Sequence, residues 1–136
     1  MKLRFLVFAA ACGLALRAAD LPALWAERVK SCVAVEYVTE TETERAPTVT
    51  LGTVIDAQGT IIIQSGAIDP RAALWQLKDF RVHLPGNPIG AAAEYLGQDA
   101  FTDWHFVRVT DEKIRAQLVS ITQFAGDGPP AAPALA

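Results

Sequence analysis

Hydrophobic and polar residues alternate along most of this chain with the period of two that is typical of β-strands. The segment CVAVEYVTETETE, residues 32–44, is rich in β-branched residues and ends in alternating threonine and glutamate, which indicates a strand running out into a solvated, acidic hairpin. The segment PTVTLGTVID, residues 47–56, is the expected return strand. Further strands are expected in TIIIQS (60–65), FRVHL (80–84), AAEYLG (92–97), WHFVRV (104–109) and LVSITQF (118–124).

Short strands separated by turns about every ten residues predict an antiparallel barrel or sandwich. The consecutive isoleucines at 61–63 predict burial on both faces of their strand. Helical spacing of apolar residues is confined to two short segments. Residues 21–31 are expected to form an amphipathic helix that packs onto the sheet, and residues 71–77 a second short helical stretch.

The N-terminal segment differs from the rest of the chain. Lys2 and Arg4 precede an apolar run from Phe5 to Leu16, and the small residues Ala18 and Ala19 follow, which is the order of a secretory signal peptide. The run is twelve residues long, whereas a membrane-spanning helix needs about 20. Residues 1–19 are therefore predicted to be a signal peptide, and the protein is expected to be exported, either periplasmic or secreted.

The position of signal-peptide cleavage stays open. A cut after Ala18 or Ala19 places Leu16 or Arg17 at the third residue before the cut, where a small residue is preferred. Lipid attachment at Cys12 fits less well, because three alanines precede it and no large aliphatic residue stands among them. Residues 20–124 are expected to form the folded domain, and residues 125–136, rich in proline and alanine, a tail or linker.

The net charge and the cysteine content limit the classes of binding partner and the disulfides that the chain can form. Without residues 1–19 the chain holds nine basic and fifteen acidic residues, a net charge of −6. This balance argues against nucleic acid as a partner, and against a membrane surface once the signal peptide is removed. Cys32 would then have no internal disulfide partner, and its apolar neighbours predict a buried, inert thiol, with an intermolecular disulfide as the alternative.

The order of several motifs is informative beyond composition. SCVAVEY (31–37) is followed by LGTVIDAQGTIIIQSGAI (51–68) and then by FRVHLPGNPIGAAAEYLGQDAFTDWHFVRV (80–109). This order resembles the first half of a trypsin-like serine protease of the HtrA (Deg) branch, over roughly residues 29–110. The resemblance implies an all-β fold, an antiparallel six- to seven-stranded β-barrel like the first of that family's two barrels, with a short N-terminal helix.

The same resemblance assigns positions in the catalytic triad. In that family the first barrel supplies a histidine and an aspartate, and the second barrel supplies the serine whose proton the histidine takes. By the resemblance, Asp103 in FTDWHFV matches the aspartate, whereas Gly66 in IIIQSGAI stands at the histidine position. Glycine cannot accept a proton, and Ser31, Ser65 and Ser120 all lie outside any Gly-x-Ser-Gly-Gly segment. No residue is therefore assigned as catalytic, and no cofactor or metal is expected.

Two rearranged sites are alternatives to plain structural roles for the histidines. A triad of Ser65, Asp103 and His105 is conceivable, because residues 103 and 105 would share a face of an extended strand. A zinc site of Cys32, His83 and His105 lacks any closely spaced ligand pair. Both are less favoured than two ordinary strand histidines. The scattered aromatic residues are expected in the core, namely Trp25, Trp75, Phe80, Phe101, Trp104 and Phe106.

Three hypotheses of function follow. The first is an exported, catalytically inactive trypsin-like homologue, a pseudoprotease module kept as a structural or protein-interaction domain. The second is the N-terminal fragment of a larger HtrA-like serine endopeptidase of protein quality control. The third is a module that binds extended polypeptides by adding them to a sheet edge. The expected partners are accordingly an unfolded or extended polypeptide, or a second barrel or partner subunit.

Overall fold

A computed structural model describes residues 21–124 of the chain. The predicted signal peptide at residues 1–19 and the predicted tail at residues 125–136 lie outside the described residues. None of the described helices is long and apolar enough to cross a membrane.

Six antiparallel strands close into a barrel, which confirms the predicted fold class. The strand order around the barrel is β1-β2-β3-β6-β5-β4, and β4 pairs back onto β1. A short helix, α1 (Leu21–Arg28), and a 3-10 turn lead into the first strand. The strands are β1 (Cys32–Glu40), β2 (Arg45–Val54), β3 (Thr60–Ile63), β4 (Leu77–His83), β5 (Ala91–Gln98) and β6 (His105–Val109), and the helix α2 (Glu112–Arg115) follows.

The barrel interior is filled by alternate side chains from all six strands, as strands with one inner and one outer face require. Its centre consists of aliphatic side chains with no exposed surface: Val35, Val54, Ile61, Ile63, Val82, Val107 and Val109. A run of rings closes one end of this core. The ring centroids of Tyr37 and Phe80 are 5.6 Å apart, those of Phe80 and Tyr95 5.2 Å, and those of Tyr95 and His105 6.1 Å.

The alternation of faces corrects two predictions. Ile61 and Ile63 are fully buried, but Ile62 points outward and is only half-buried, because each strand of a closed barrel has a single inner face. Cys32 is exposed rather than buried. It is the first residue of β1, and Val33 beside it takes the inward position.

The predicted strand at residues 118–124 is wrong. This stretch ends in a 3-10 helix at Ile121–Phe124. The hydroxyls of Ser120 and Thr122 lie 2.7 Å apart, and Ser120 Oγ also accepts a hydrogen bond from the Thr122 N–H at 3.2 Å. Such local hydrogen bonds compete with strand pairing. The segment predicted as helical at 71–77 is likewise reduced to a 3-10 turn at Leu74–Gln76.

The aromatic residues and α1 are more exposed than expected. Phe80 lies in the core, but the other five are not buried: Phe106 is half-buried, and Trp25, Trp75, Phe101 and Trp104 are exposed. The helix α1 forms as predicted, yet none of its residues is buried, so the prediction that it packs onto the barrel is wrong. The strands already fill the barrel interior with their own side chains, and no complementary apolar surface in residues 21–124 covers the helix.

Gly52 provides a test of how tightly the interior is packed. A Cβ at this position would lie 2.5 Å from Cγ2 of Ile61 and 2.8 Å from Cγ2 of Val35, both in the filled core. We expect Gly52→Ala to lower the free energy of unfolding by about 1–3 kcal/mol, because these branched side chains must move. The matched control is Gly66→Ala, where no atom lies within 4 Å of the added Cβ and a change within about 1 kcal/mol is expected. Equal losses in urea unfolding would contradict this account.

Candidate functional site

The pairing of β3 with β6 brings Gly66 and Asp103, the two positions that the resemblance singled out, to one end of the barrel. The last residue of β3, Ile63, pairs with the first residue of β6, His105. Gly66 lies three residues after Ile63, in the 3-10 helix Ser65–Ala67, and Asp103 lies two residues before His105. The two positions singled out by the resemblance therefore flank one pair of neighbouring strand ends.

Gly66 lies on one wall of a groove of about 640 Å³, which we call the Gly66 groove. The opposite wall is the inner face of the β1–β2 hairpin, where Thr39, Thr41 and Thr48 line the groove. Tyr37 ties the two walls together, because its hydroxyl donates a hydrogen bond to the carbonyl oxygen of Ala67 at 3.1 Å. Burial raises the pKa of this phenol, so it stays protonated at neutral pH.

The charged residues of the Gly66 groove neutralise one another. The guanidinium of Arg71 donates hydrogen bonds to the Asp69 carboxylate from Nε at 3.1 Å and from Nη2 at 3.0 Å. The backbone N–H of Arg71 donates to the same carboxylate at 2.9 Å. These hydrogen bonds hold the pKa of Asp69 below its usual range. The groove thus offers hydroxyls and a closed ion pair, and its lining residues include no imidazole that could act as a general base.

Asp103 belongs to a turn, and within residues 21–124 it makes no hydrogen bond to a histidine. Its backbone is left-handed, with φ of 57°, and its side chain is exposed. The turn is organised by Asp99, whose Oδ2 accepts hydrogen bonds from the Thr102 N–H at 2.9 Å and the Thr102 hydroxyl at 2.6 Å. Gln98 donates to the Asp103 carbonyl oxygen at 3.3 Å. The left-handed residue breaks the period of two, so Asp103 does not share a face with His105 as the sequence predicted.

His105 is directed into the barrel and is only 4% exposed. Its Nδ1 lies 2.9 Å from the Tyr95 hydroxyl, which is the hydrogen bond that the described residues provide for this ring. Burial lowers the pKa of His105, and the negative charge of Asp103 opposes that shift in part. The structure shows no hydrogen bond between His105 and Ser65, so the rearranged triad is not assembled in residues 21–124.

The zinc site considered from the sequence is also not assembled. His83 lies on the outer face of the barrel, where its Nε2 is 2.7 Å from Oε2 of Glu36, and Cys32 is exposed, while His105 lies inside. Within residues 21–124 no group of three metal-binding side chains comes together. The contact between His83 and Glu36 was not predicted, because it depends on the register of β1 against β4.

The sequence analysis did not predict an unpaired edge on β2. All nine residues of β1 pair with β2, but β3 pairs only with Gly52, Thr53 and Val54. In the described part of the chain, residues 45–51 of β2 therefore have an unpaired edge. Pro47 is the sequence signal for it, because proline lacks the N–H of a central strand and is confined to edges. Val49 and Leu51 on this segment are 64% and 66% exposed.

Comparison of the sequence with models of known protein families and with curated proteins finds no match. The assignment of function therefore depends on the geometry at this end of the barrel and on the resemblance of the motifs.

The burial of His105 predicts a pH dependence of stability. Its pKa in the folded protein is lower than the value of about 6.5 expected in the unfolded chain. As the pH falls, His105 is therefore protonated in the unfolded state before it is protonated in the folded state. The contribution of the buried neutral ring to the free energy of unfolding is complete above about pH 6.5, and it is lost as the pH falls toward the lower pKa of the folded state. Urea unfolding between pH 8 and pH 5, with NMR titration of the ring, measures both quantities.

His83 supplies the control for this measurement. We expect the fall in the free energy of unfolding below about pH 6.5 to be smaller in His105→Gln, because the buried imidazole is gone. We expect His83→Gln to show the same fall as the unmodified protein. If His105→Gln does not fold, the NMR titration of the unmodified protein still decides. A His105 ring that titrates at or above 6.5 in the folded protein would contradict the prediction.

Proposed function

We propose that this protein is an exported, catalytically inactive relative of the trypsin-like serine proteases of the HtrA branch, kept as a protein-interaction domain. The observation that carries the proposal is the convergence of Gly66 and Asp103 at one end of a closed six-stranded barrel. Their separation along the chain is large, and only the β3–β6 pairing brings them together. This is the relation that the resemblance implies for the two triad positions of the first barrel.

The same end of the barrel supports the absence of hydrolysis. Gly66 has no side chain to activate a nucleophile, and losing the base of a triad costs on the order of a millionfold in turnover. The nearest imidazole along β6, His105, is buried and hydrogen-bonded to Tyr95. Ser31 and Ser120 are buried as well, which leaves Ser65 as the one serine with partial access to solvent.

Labelling with a fluorophosphonate tests this inactivity. We expect no stoichiometric adduct on the protein or on Gly66→His, because an added imidazole has no serine positioned beside an oxyanion hole. An active trypsin-like protease labelled in parallel shows that the reagent works. An adduct that Ser65→Ala abolishes would overturn the proposal.

The unpaired edge of β2 supports an interaction role by strand addition. An extended polypeptide can pair with an exposed edge through main-chain hydrogen bonds, which gives affinity with little dependence on sequence. The segment 45–51 is long enough for such pairing, and its exposed Val49 and Leu51 offer apolar contacts on the outer face. Thr48, on the same segment, lines the Gly66 groove, so a bound strand would run past the groove.

Substitution of Val49 tests the edge directly. Pro47 fits β2 without an N–H, and Val49, two residues further on, directs its own N–H to the same side of the strand. We expect Val49→Pro to remove one donor from the edge and to weaken binding of a permanently unfolded polypeptide about tenfold. The control Val49→Thr keeps the N–H and should bind like the unmodified protein. No saturable binding by the unmodified protein, or equal binding by both variants, would contradict strand addition.

A further inference from the structure

The open edge of β2 presents its main-chain groups in a regular pattern. Directly after β2, the N–H of Ile55 donates a hydrogen bond to the Thr60 carbonyl oxygen of β3 at 2.9 Å. Successive residues of a strand direct their main-chain groups to opposite sides, and β2 pairs with β1 without a register shift. The odd-numbered residues within 45–51 therefore direct theirs to the side of β3, where they have no partner strand in the described part of the chain.

The edge lacks the charges that usually keep strand edges apart. Natural proteins commonly protect an exposed edge with charged side chains, above all with lysine. Residues 46–55 include no Asp, Glu, Lys or Arg. Val49 and Leu51 on this edge are 64% and 66% exposed, and Pro47 removes only one donor. An exposed and uncharged edge of this kind is a template for pairing with another strand.

A second copy of this chain matches the edge in one antiparallel register. The stretch 45–51 overlaps completely with itself when Thr48 lies opposite Thr48 of the second copy, on a two-fold axis. Pro47 then lies opposite Val49, and its carbonyl oxygen accepts a hydrogen bond from the Val49 N–H. The missing N–H of Pro47 costs one hydrogen bond on each side of the axis, so about six main-chain hydrogen bonds remain.

The charges at the end of the hairpin favour this antiparallel arrangement. Glu42 and Glu44 are exposed in the connection between β1 and β2. Parallel pairing of two copies would bring both acidic connections side by side, where like charges repel each other. Antiparallel pairing places them at opposite ends of the interface, at least about 20 Å apart. The two-fold arrangement thus joins the uncharged stretch to its own copy and separates the acidic ends.

We propose that the protein forms a dimer in which the 45–51 edges of two copies pair antiparallel and join the two barrels through one continuous sheet. A second copy is a better partner for this edge than a flexible segment, because its strand is already extended and loses little conformational entropy on pairing. The dimer occupies the edge that strand addition would use, so self-association regulates the binding of polypeptide. This regulatory role rests on the proposed function, whereas the dimer itself does not.

Charges introduced at the two facing positions test the dimer and its register. In this register the two copies of residue 49 are diagonal neighbours, about 7 Å apart. We expect Val49→Lys to weaken dimerisation of the full chain at least about tenfold in sedimentation velocity, because the two lysines repel each other. Adding Pro47→Glu places a carboxylate opposite each lysine, so the double variant should regain the dimer. The uncharged control Val49→Thr should dimerise like the unmodified chain, and both positions are exposed, so the core stays intact.

Amide hydrogen exchange locates the interface in the unmodified chain. We expect the N–H groups of Val49 and Leu51 to exchange more slowly as the protein concentration rises, because pairing protects them. A chain that stays monomeric, a dimer that Val49→Lys leaves unchanged, or a double variant without rescue would each refute the proposal. Binding of unfolded polypeptide is measured separately at a concentration where the chain is monomeric. Binding without any dimer would refute this inference alone, and a dimer without binding would contradict strand addition alone.

Discussion

The antiparallel pairing of β3 with β6 is the contact on which the rest of the molecule depends. These strands are not consecutive, yet their four residue pairs join the hairpin of β1 and β2 to the strands β4 and β5. Without this pairing the sheet would have two open ends and no enclosed interior. It also determines the candidate site, because Gly66 follows the end of β3 and Asp103 precedes the start of β6, and these two strand ends are paired.

A cluster of rings beside the Gly66 groove holds the imidazole of His105 in a structural contact. Tyr37, Phe80, Tyr95 and His105 come from four different strands; the first three rings are stacked, and the ring of His105 is tilted by 41° against that of Tyr95. The imidazole is part of this packing, hydrogen-bonded to a phenol and shielded from water. A general base needs access to the proton that it removes. The imidazole of His105 has a hydrogen bond to Tyr95 in place of that access.

The structure shows the barrel that the resemblance implied, and membership of the family stays a prediction. The motifs implied one barrel and two neighbouring positions, and the barrel shows both positions at one end. Function follows less directly, because a fold accommodates many activities and the site decides among them. Here the Gly66 groove offers threonine hydroxyls and a closed ion pair, and the neighbouring strand offers an open edge. These features favour the binding of a main chain over its cleavage.

The prediction of structure from sequence succeeded where local pattern was sufficient. Alternation of apolar residues located all six strands, and the helical spacing of residues 21–31 located α1. It failed where a segment has the alternation of a strand but forms another structure, or where an exposed residue has apolar neighbours in the sequence. Residues 118–124 alternate like a strand, but the hydroxyls of Ser120 and Thr122 form local hydrogen bonds instead. Cys32 has apolar neighbours, but it begins its strand on the outer face.

The sequence by itself determined the all-β class and the absence of a side chain at residue 66, because alternation and residue identity are local properties. Only the tertiary structure decided that Gly66 and Asp103 flank one pair of strand ends, that His105 faces inward and that residues 45–51 of β2 keep an unpaired edge in the described part of the chain. Each of these depends on strand register between residues far apart in the chain. A shift of one residue in that register would turn every side chain to the opposite face.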